Sequence, residues 1–112
     1  MMIEKILLDY LNGRLSAPVY TEERGQMPER YILIDKTGGG GGVYLKEATV
    51  AIQSYGKSLY EAAALNEQVK EEMNNIIELD DISKCSLNSD YEYTDTTRKK
   101  YRYQAVFDLV YF

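Results

Sequence analysis

The chain has 112 residues, of which 13 are basic and 18 acidic, so its formal net charge is −5. This negative charge argues against a dedicated nucleic-acid-binding protein, which needs a basic face to neutralise phosphates. The chain contains no histidine, which removes the commonest general base and metal ligand, and its single cysteine excludes an intramolecular disulfide and favours a reducing compartment.

The first predicted element is a helix over residues 2–12, where apolar residues recur at helical spacing and Gly13 provides a stop. The charged residues Glu4, Lys5 and Asp9 interrupt this segment. An interrupted apolar segment of this length is typical neither of a signal peptide nor of a membrane span. We therefore expect a cytosolic chain without membrane association.

Three β-like segments follow, at residues 17–22, 31–36 and 43–55. Residues 23–29 are polar and are predicted to form a loop. The second and third segments are separated by five consecutive glycines, and the third shows a period of two over residues 48–53. The simplest interpretation is a β-hairpin with a flexible glycine-rich loop at about residues 37–42.

The clearest helix is predicted over residues 58–77. Ser58 and Glu61 match the capping-box pattern, and apolar residues then repeat every three to four positions. Two further strands are predicted at about 82–93 and 99–112, joined by a turn at residues 94–98.

This order of elements predicts an α+β fold in a single domain over residues 1–112. We expect an antiparallel sheet of about four to five strands, with the N-terminal helix and the one long helix packed on one face. The other face would retain apolar and tyrosine-rich surface, since the chain has eleven tyrosines, and this favours an oligomer.

The glycine run also needs testing as a phosphate-binding loop. Such a loop places Lys-Ser/Thr after its glycines and before a helix, whereas here Lys36 and Thr37 precede the glycines and a strand follows. The sequence therefore favours a hairpin tip, or a loop that becomes ordered against a partner. This candidate assembly loop comprises Lys36, Thr37, Gly38, Gly39, Gly40, Gly41 and Gly42.

The remaining candidates for chemistry are weak. Cys85 lies in a predicted strand without a histidine to activate it, so we expect a small core residue. The acidic residues Asp80, Asp81, Asp90, Glu92 and Asp95 lack the ligand pattern of a calcium loop and are interpreted as helix-exit and turn residues. We expect no catalytic residue, cofactor or metal.

One basic segment is interleaved with aromatic residues: Arg98, Lys99, Lys100, Tyr101, Arg102 and Tyr103. It could contact nucleic acid through phosphates and tyrosine stacking, or form an interface. The favoured alternative is the solvated start of a strand, with lysines that prevent edge pairing.

Four stretches that together cover almost the whole chain resemble a known family: residues 2–20, 30–39, 48–73 and 87–112. They are similar to the small tail-terminator, tail-completion or head–tail joining proteins of siphophages and of prophages in Gram-positive bacteria. The resemblance implies a non-enzymatic α+β protein that forms a ring, usually hexameric, at the head-proximal end of the tail tube.

The implied partners are other copies of the chain, the tail tube protein and the head–tail connector, with DNA only in transit. The implied locations are the bacterial host cytoplasm during assembly and then the virion. Residues 36–42 would form a loop that reaches the lumen or the neighbouring ring, although five glycines depart from the shorter, more polar cluster expected there.

Three alternatives remain open. The chain could be another neck or minor tail component of the virion, or a nucleic-acid-binding module that uses Arg98–Tyr103. A nucleotide-using enzyme built on the glycine loop is disfavoured, because no lysine follows the glycines.

Overall fold

The computed structural model describes residues 2–112, which form two α-helices, a short 3-10 helix and five strands. The helices are α1 (Ile3–Leu11) and α2 (Leu59–Asn74), and the 3-10 helix spans Ile76–Glu78. The strands are β1 (Val19–Tyr20), β2 (Tyr31–Gly41), β3 (Lys46–Gly56), β4 (Ile82–Glu92) and β5 (Tyr101–Tyr111).

The strands form one sheet in the order β1-β2-β3-β5-β4. The predicted α+β class and the two helices are confirmed, but the sheet is mixed because β1 pairs with β2 in parallel. The Ile32 N–H donates to the Pro18 carbonyl at 2.9 Å in this pairing. All other neighbouring strands are antiparallel.

Both helices pack on one face of the sheet, where α1 contacts β1 and β2 and α2 contacts β3, β5 and β4. The hydrophobic core lies between these layers. Its fully buried members include Ile3, Leu7, Ile32, Val50, Ile52, Leu65, Val69, Met73 and Ala105. Within the described residues, neither helix is both long and apolar enough to cross a bilayer.

The start of α2 is fixed by its cap and by a glycine. Ser58 Oγ accepts a hydrogen bond from the Glu61 N–H at 3.1 Å, as the capping box predicts, while Glu61 Oε1 accepts from the Lys57 N–H at 3.4 Å. A Cβ at Gly56 would lie 2.6 Å from the Ala62 nitrogen. Gly56 therefore allows the chain to fold back closely from β3 into α2.

The hairpin between β2 and β3 exists, but its loop is not where the sequence predicted it. Gly38 to Gly41 lie in β2 and pair with Thr49 to Lys46 of β3, so the turn falls at residues 42–45 and the predicted loop at 37–42 is wrong in position. Because β3 is held along its whole length by β5, it presents a fixed template to which the glycine backbone can pair. Only Thr37 stands out of register, as the extra residue of a bulge.

Candidate assembly surfaces

The sheet has two free edges, and they are formed by different strands. β1 covers β2 only at Ile32 and Leu33, so in the described chain the rest of β2 has no strand on the side that faces away from β3. At the other side, β4 is the outermost strand along its whole length. Free edges present unpaired backbone groups that can accept a strand from another chain.

The edge of β4 carries two irregularities. Its register against β5 shifts between Ile82 and Lys84 and again between Leu87 and Ser89. Bulges of this kind limit unwanted edge pairing. The four residues between them, 84–87, keep a regular register and so form the part of this edge best suited to pairing.

The glycine run gives the free edge of β2 an unusually bare surface. A Cβ at Gly40 would meet nothing within 4 Å, and a Cβ at Gly38 would meet only Thr49 Cβ at 3.9 Å. By contrast, Gly41 has φ +105° and its Cβ would lie 2.7 Å from the Leu45 carbonyl oxygen. The backbone of the chain itself therefore requires glycine at position 41 but not at positions 38 and 40.

The tip of the hairpin is apolar and open to solvent. Val43 is 88% exposed, Tyr44 85% and Leu45 45%. An exposed apolar cluster at the end of a projecting hairpin is typical of a contact site for another molecule. These residues were predicted from the sequence to lie in a strand, and the exposed tip was not predicted. The signal that could have indicated it was the group of three apolar residues directly after the glycines.

The basic segment 98–103 is largely occupied by contacts within the chain. Arg98 donates to both Glu23 carboxylate oxygens, at 2.7 and 3.2 Å, and to Asp95 at 2.7 Å. The guanidinium of Arg102 lies 4.3 Å from the Tyr93 ring centroid, and its Nη1 donates to the Tyr55 hydroxyl at 3.0 Å. Arg98 and Arg102 are therefore engaged in ion pairs and tyrosine contacts, and the segment has fewer cations free to bind phosphate than the sequence suggested.

The ion pair with Arg98 also perturbs titration. Its hydrogen bonds to the carboxylate, together with that from the Tyr31 hydroxyl, lower the pKa of Glu23 to about 2. Burial, followed by the hydrogen bond to Glu23, raises the pKa of Tyr31 well above its ordinary value. From the sequence, Glu23 was predicted only to lie in a polar loop, and no local pattern indicates this ion pair.

A tyrosine stack lies beside this segment, on the sheet face opposite the helices. The rings of Tyr31 and Tyr55 are stacked with centroids 4.2 Å apart, and Lys100 Nζ donates to the Tyr31 hydroxyl at 3.2 Å. Lys99 and Tyr101 join these rings in lining a pocket of about 360 Å³. The pocket lies at the end of the sheet away from the hairpin tip, because Gly56 pairs with Tyr101 at this end.

A chain of side-chain hydrogen bonds continues from the stack across the same face. The Tyr55 hydroxyl donates to Gln53 at 3.1 Å, Gln53 donates to Gln104 at 2.8 Å, and Gln104 donates to the Tyr91 hydroxyl. These bonds connect four residues of β3, β5 and β4. They make this part of the sheet a rigid polar surface, since each buried amide has a partner.

Two other residues considered for chemistry, Cys85 and Asp90, contact other parts of the fold. Cys85 is half-buried against the core, and burial followed by the Asp108 charge raises its thiol pKa to about 11. Asp90 lies inside β4, contrary to its interpretation as a turn residue, and accepts from Asn66 and Lys70 of α2. No group of three acidic or cysteine side chains within residues 2–112 is arranged to hold a metal.

No protein-family model matches the chain, and no curated protein matches it. The surfaces themselves are suited to assembly, because they combine two different sheet edges with an apolar tip.

Proposed function

We propose that the protein is a non-enzymatic virion-assembly protein of a phage or prophage, of the tail-terminator or head–tail joining type. In this role it forms a homo-oligomeric ring, hexameric as the resemblance implies, that caps the tail tube and provides a docking surface for the head connector. The observation that best supports the proposal is the pair of non-equivalent free edges formed by β2 and β4.

A ring needs an interface in which one surface of a subunit meets a different surface of the next. Two unlike sheet edges supply such a pair, whereas a single free edge would favour a two-fold dimer. Closing the ring removes both edges, which limits growth to a defined number of subunits.

The apolar tip at Val43–Leu45 supports the second part of the proposal. Cyclic symmetry places all hairpin tips at one level of the ring and all tyrosine-lined pockets at one level. These two levels are different when the strands run along the ring axis, because the tip and the pocket lie at opposite ends of the strands. The two ends of the subunit differ in chemistry, one apolar and projecting, the other aromatic and rimmed by lysines. A ring with two unlike surfaces suits a protein that contacts a tube on one side and a connector on the other.

The same surfaces would also serve another neck component of the virion. The nucleic-acid-binding alternative is less well supported, because Arg98 and Arg102 are already engaged with carboxylates and tyrosines. In the proposed ring, DNA is a molecule in transit and not a ligand.

The experiment that tests the proposal is deletion of the gene from its phage or prophage, followed by electron microscopy of the particles. We expect overlong tail tubes, or tails and filled heads that remain unjoined, with wild-type particles restored by the gene in trans. Normal virions in the deletion strain would refute the proposal.

A further inference from the structure

We propose that the subunits join by extending the sheet, with the glycine-rich edge of β2 in one copy paired to the edge of β4 in the next. The inference rests on the proposed function only in taking a second copy of the chain as the occupant of the edge. It assigns a purpose to the glycine run, which the fold of the single chain does not require at positions 38 and 40.

The strand directions favour this arrangement. β2, β3, β5 and β4 alternate in direction across the sheet, so β2 and β4 are antiparallel to each other. A second copy placed beside the first in the same orientation therefore presents β4 antiparallel to β2. Its helices also lie on the same face, so that both the sheet and the helical layer continue across the contact.

The glycines make the β2 edge receptive to a close neighbour. Glycine within a strand lowers stability relative to alanine, so a glycine without a local backbone reason needs another explanation. One established reason is the close approach of another backbone. Gly38 and Gly40 meet this description, since their side-chain positions are open.

Two opposite charges become neighbours in the extended sheet. Four residues are paired in turn across the neighbouring strands: Gly40, Glu47, Val110 and Lys84. All four line one groove of about 490 Å³. Within one chain the Val110 side chain separates Lys84 from Glu47, and neither residue forms an ion pair among residues 2–112. Across the proposed contact only Gly40 separates Glu47 from the next copy's lysine at position 84, which can lie over the bare glycine.

On the helix side of the contact, the β4 edge carries one exposed apolar side chain. Leu87 of β4 is 49% exposed, and it pairs through Phe107 and Val50 to the level of Lys36 in β2. On the β2 side lies a groove of about 460 Å³ between α1 and the strand, in which Leu8 and Ile34 are part of a mostly polar lining with Lys5, Glu22, Asp35 and Lys36. Extending the sheet brings Leu87 towards this groove, where it would be covered.

Pairing of β2 with the β2 of a second copy is the main competing arrangement. It would bring two glycine segments together, leave the Leu87 side of β4 uncovered and place no partner beside Lys84. The pairing of opposite charges and the covering of Leu87 therefore favour the contact between unlike edges.

Engineered disulfides test the pairing directly. In a Cys85→Ser background, Gly40→Cys is combined with Lys84→Cys or with Ser86→Cys, two positions that share the helix-free face and cover adjacent registers. Within one chain the strands of these positions are three spacings apart, about 14 Å, which is too far for a disulfide. Oxidation of the full-length protein, concentrated or assembled on tail tubes, is then followed on non-reducing gels.

We expect a ladder of covalent multimers from at least one of these pairs. The matched control, Gly40→Cys with Tyr60→Cys, should give none, because Tyr60 is 85% exposed at the start of α2, which follows the end of β3 away from the hairpin tip. A dimer from Gly40→Cys alone would support two-fold pairing and overturn the proposal, as would a protein that gives no ladder at any concentration or on tubes.

A charge exchange provides a second readout. Lys84→Glu should weaken self-association at least about tenfold through like-charge repulsion with Glu47. Adding Glu47→Lys should restore association, whereas additive losses in the double variant would count against the contact. Rings that form without cross-links would refute this edge pairing but not the virion role. Cross-linked rings from a chain whose deletion leaves normal tails would support the edge pairing and refute the virion role.

Discussion

Arg98 and Glu23 lie 75 residues apart in the chain and form a bidentate ion pair, with nitrogen–oxygen distances of 2.7 and 3.2 Å. The contact ties the turn before β5 to the loop between β1 and β2. It also holds Glu23 beside the Tyr31 hydroxyl, which donates to the same carboxylate at 2.8 Å.

This ion pair predicts a specific loss of stability in acid. The pKa of Glu23 is about 2 in the folded chain and 4.5 ordinarily, so its contribution is complete above about pH 5 and disappears as the pH falls towards 2. Glu23→Gln should lower the free energy of unfolding at pH 7 by about 1 kcal/mol, a value reduced for the exposure of the Arg98 side chain. Urea unfolding at several pH values measures the difference, which should approach zero near pH 2.

A matched control is Glu29→Gln, because Glu29 pairs with Lys57 at 3.2 Å but is 73% exposed. This variant should change the free energy of unfolding by less than about 0.5 kcal/mol at every pH. A Glu23→Gln difference that stayed constant from pH 7 to pH 2 would show that the carboxylate is not what stabilises the contact.

The tyrosine stack predicts two separable losses at position 55. Tyr55→Phe keeps the ring stack but leaves the buried Gln53 oxygen without its donor, which should cost about 1–2 kcal/mol. Tyr55→Ala also removes the ring and should cost about 3–5 kcal/mol. Denaturant unfolding measures both, with Tyr60→Phe on the exposed side of α2 as the neutral control. Equal costs for the two substitutions at position 55 would contradict the stacking contribution.

Gly56 has crowded surroundings and Gly40 has open ones, so alanine should change the free energy of unfolding in opposite directions at the two positions. Gly56→Ala places a Cβ 2.6 Å from the Ala62 nitrogen and should destabilise the fold by about 1–3 kcal/mol. Gly40→Ala meets open space and should stabilise the single chain by about 0.5 kcal/mol, by reducing the freedom of the unfolded chain. Thermal unfolding of the two variants decides the matter, and a destabilising Gly40→Ala would mean that this segment does not form the paired strand.

The hairpin tip predicts a loss of assembly without a loss of stability. The double substitution Val43→Ser and Tyr44→Ser affects side chains that are 88% and 85% exposed, so the free energy of unfolding should change by less than about 0.5 kcal/mol. In a deletion strain this variant should fail to restore joined particles, whereas Tyr60→Ser should restore them. If the tip variant restored joined particles fully, the tip would have no part in the proposed function.

The parts of the fold that follow local rules could be predicted from the sequence. The start of α2 follows from Ser58 and Glu61, whose spacing alone indicates the cap. The last strand follows from an alternation that runs from Tyr101 to Tyr111 and matches β5. Both signals depend on residues close together in the chain.

The parts that depend on tertiary context could not be predicted in this way. Glycine has low strand propensity, and only the template of β3 held by β5 accounts for Gly38–Gly41 as strand. The parallel direction of β1 depends on how the connection 21–30 crosses the molecule, for which the sequence carries no pattern. The engagement of the basic segment likewise depends on Glu23, which no spacing rule connects to Arg98.

The most direct test of the central claim is tail-tube growth in vitro, measured by electron microscopy as tube length over time. Purified protein added to polymerising tail tube protein should stop elongation and appear as a single ring at one end of each tube. Tubes that continue to lengthen at the same rate, with no added ring at either end, would contradict the proposed role in capping the tail.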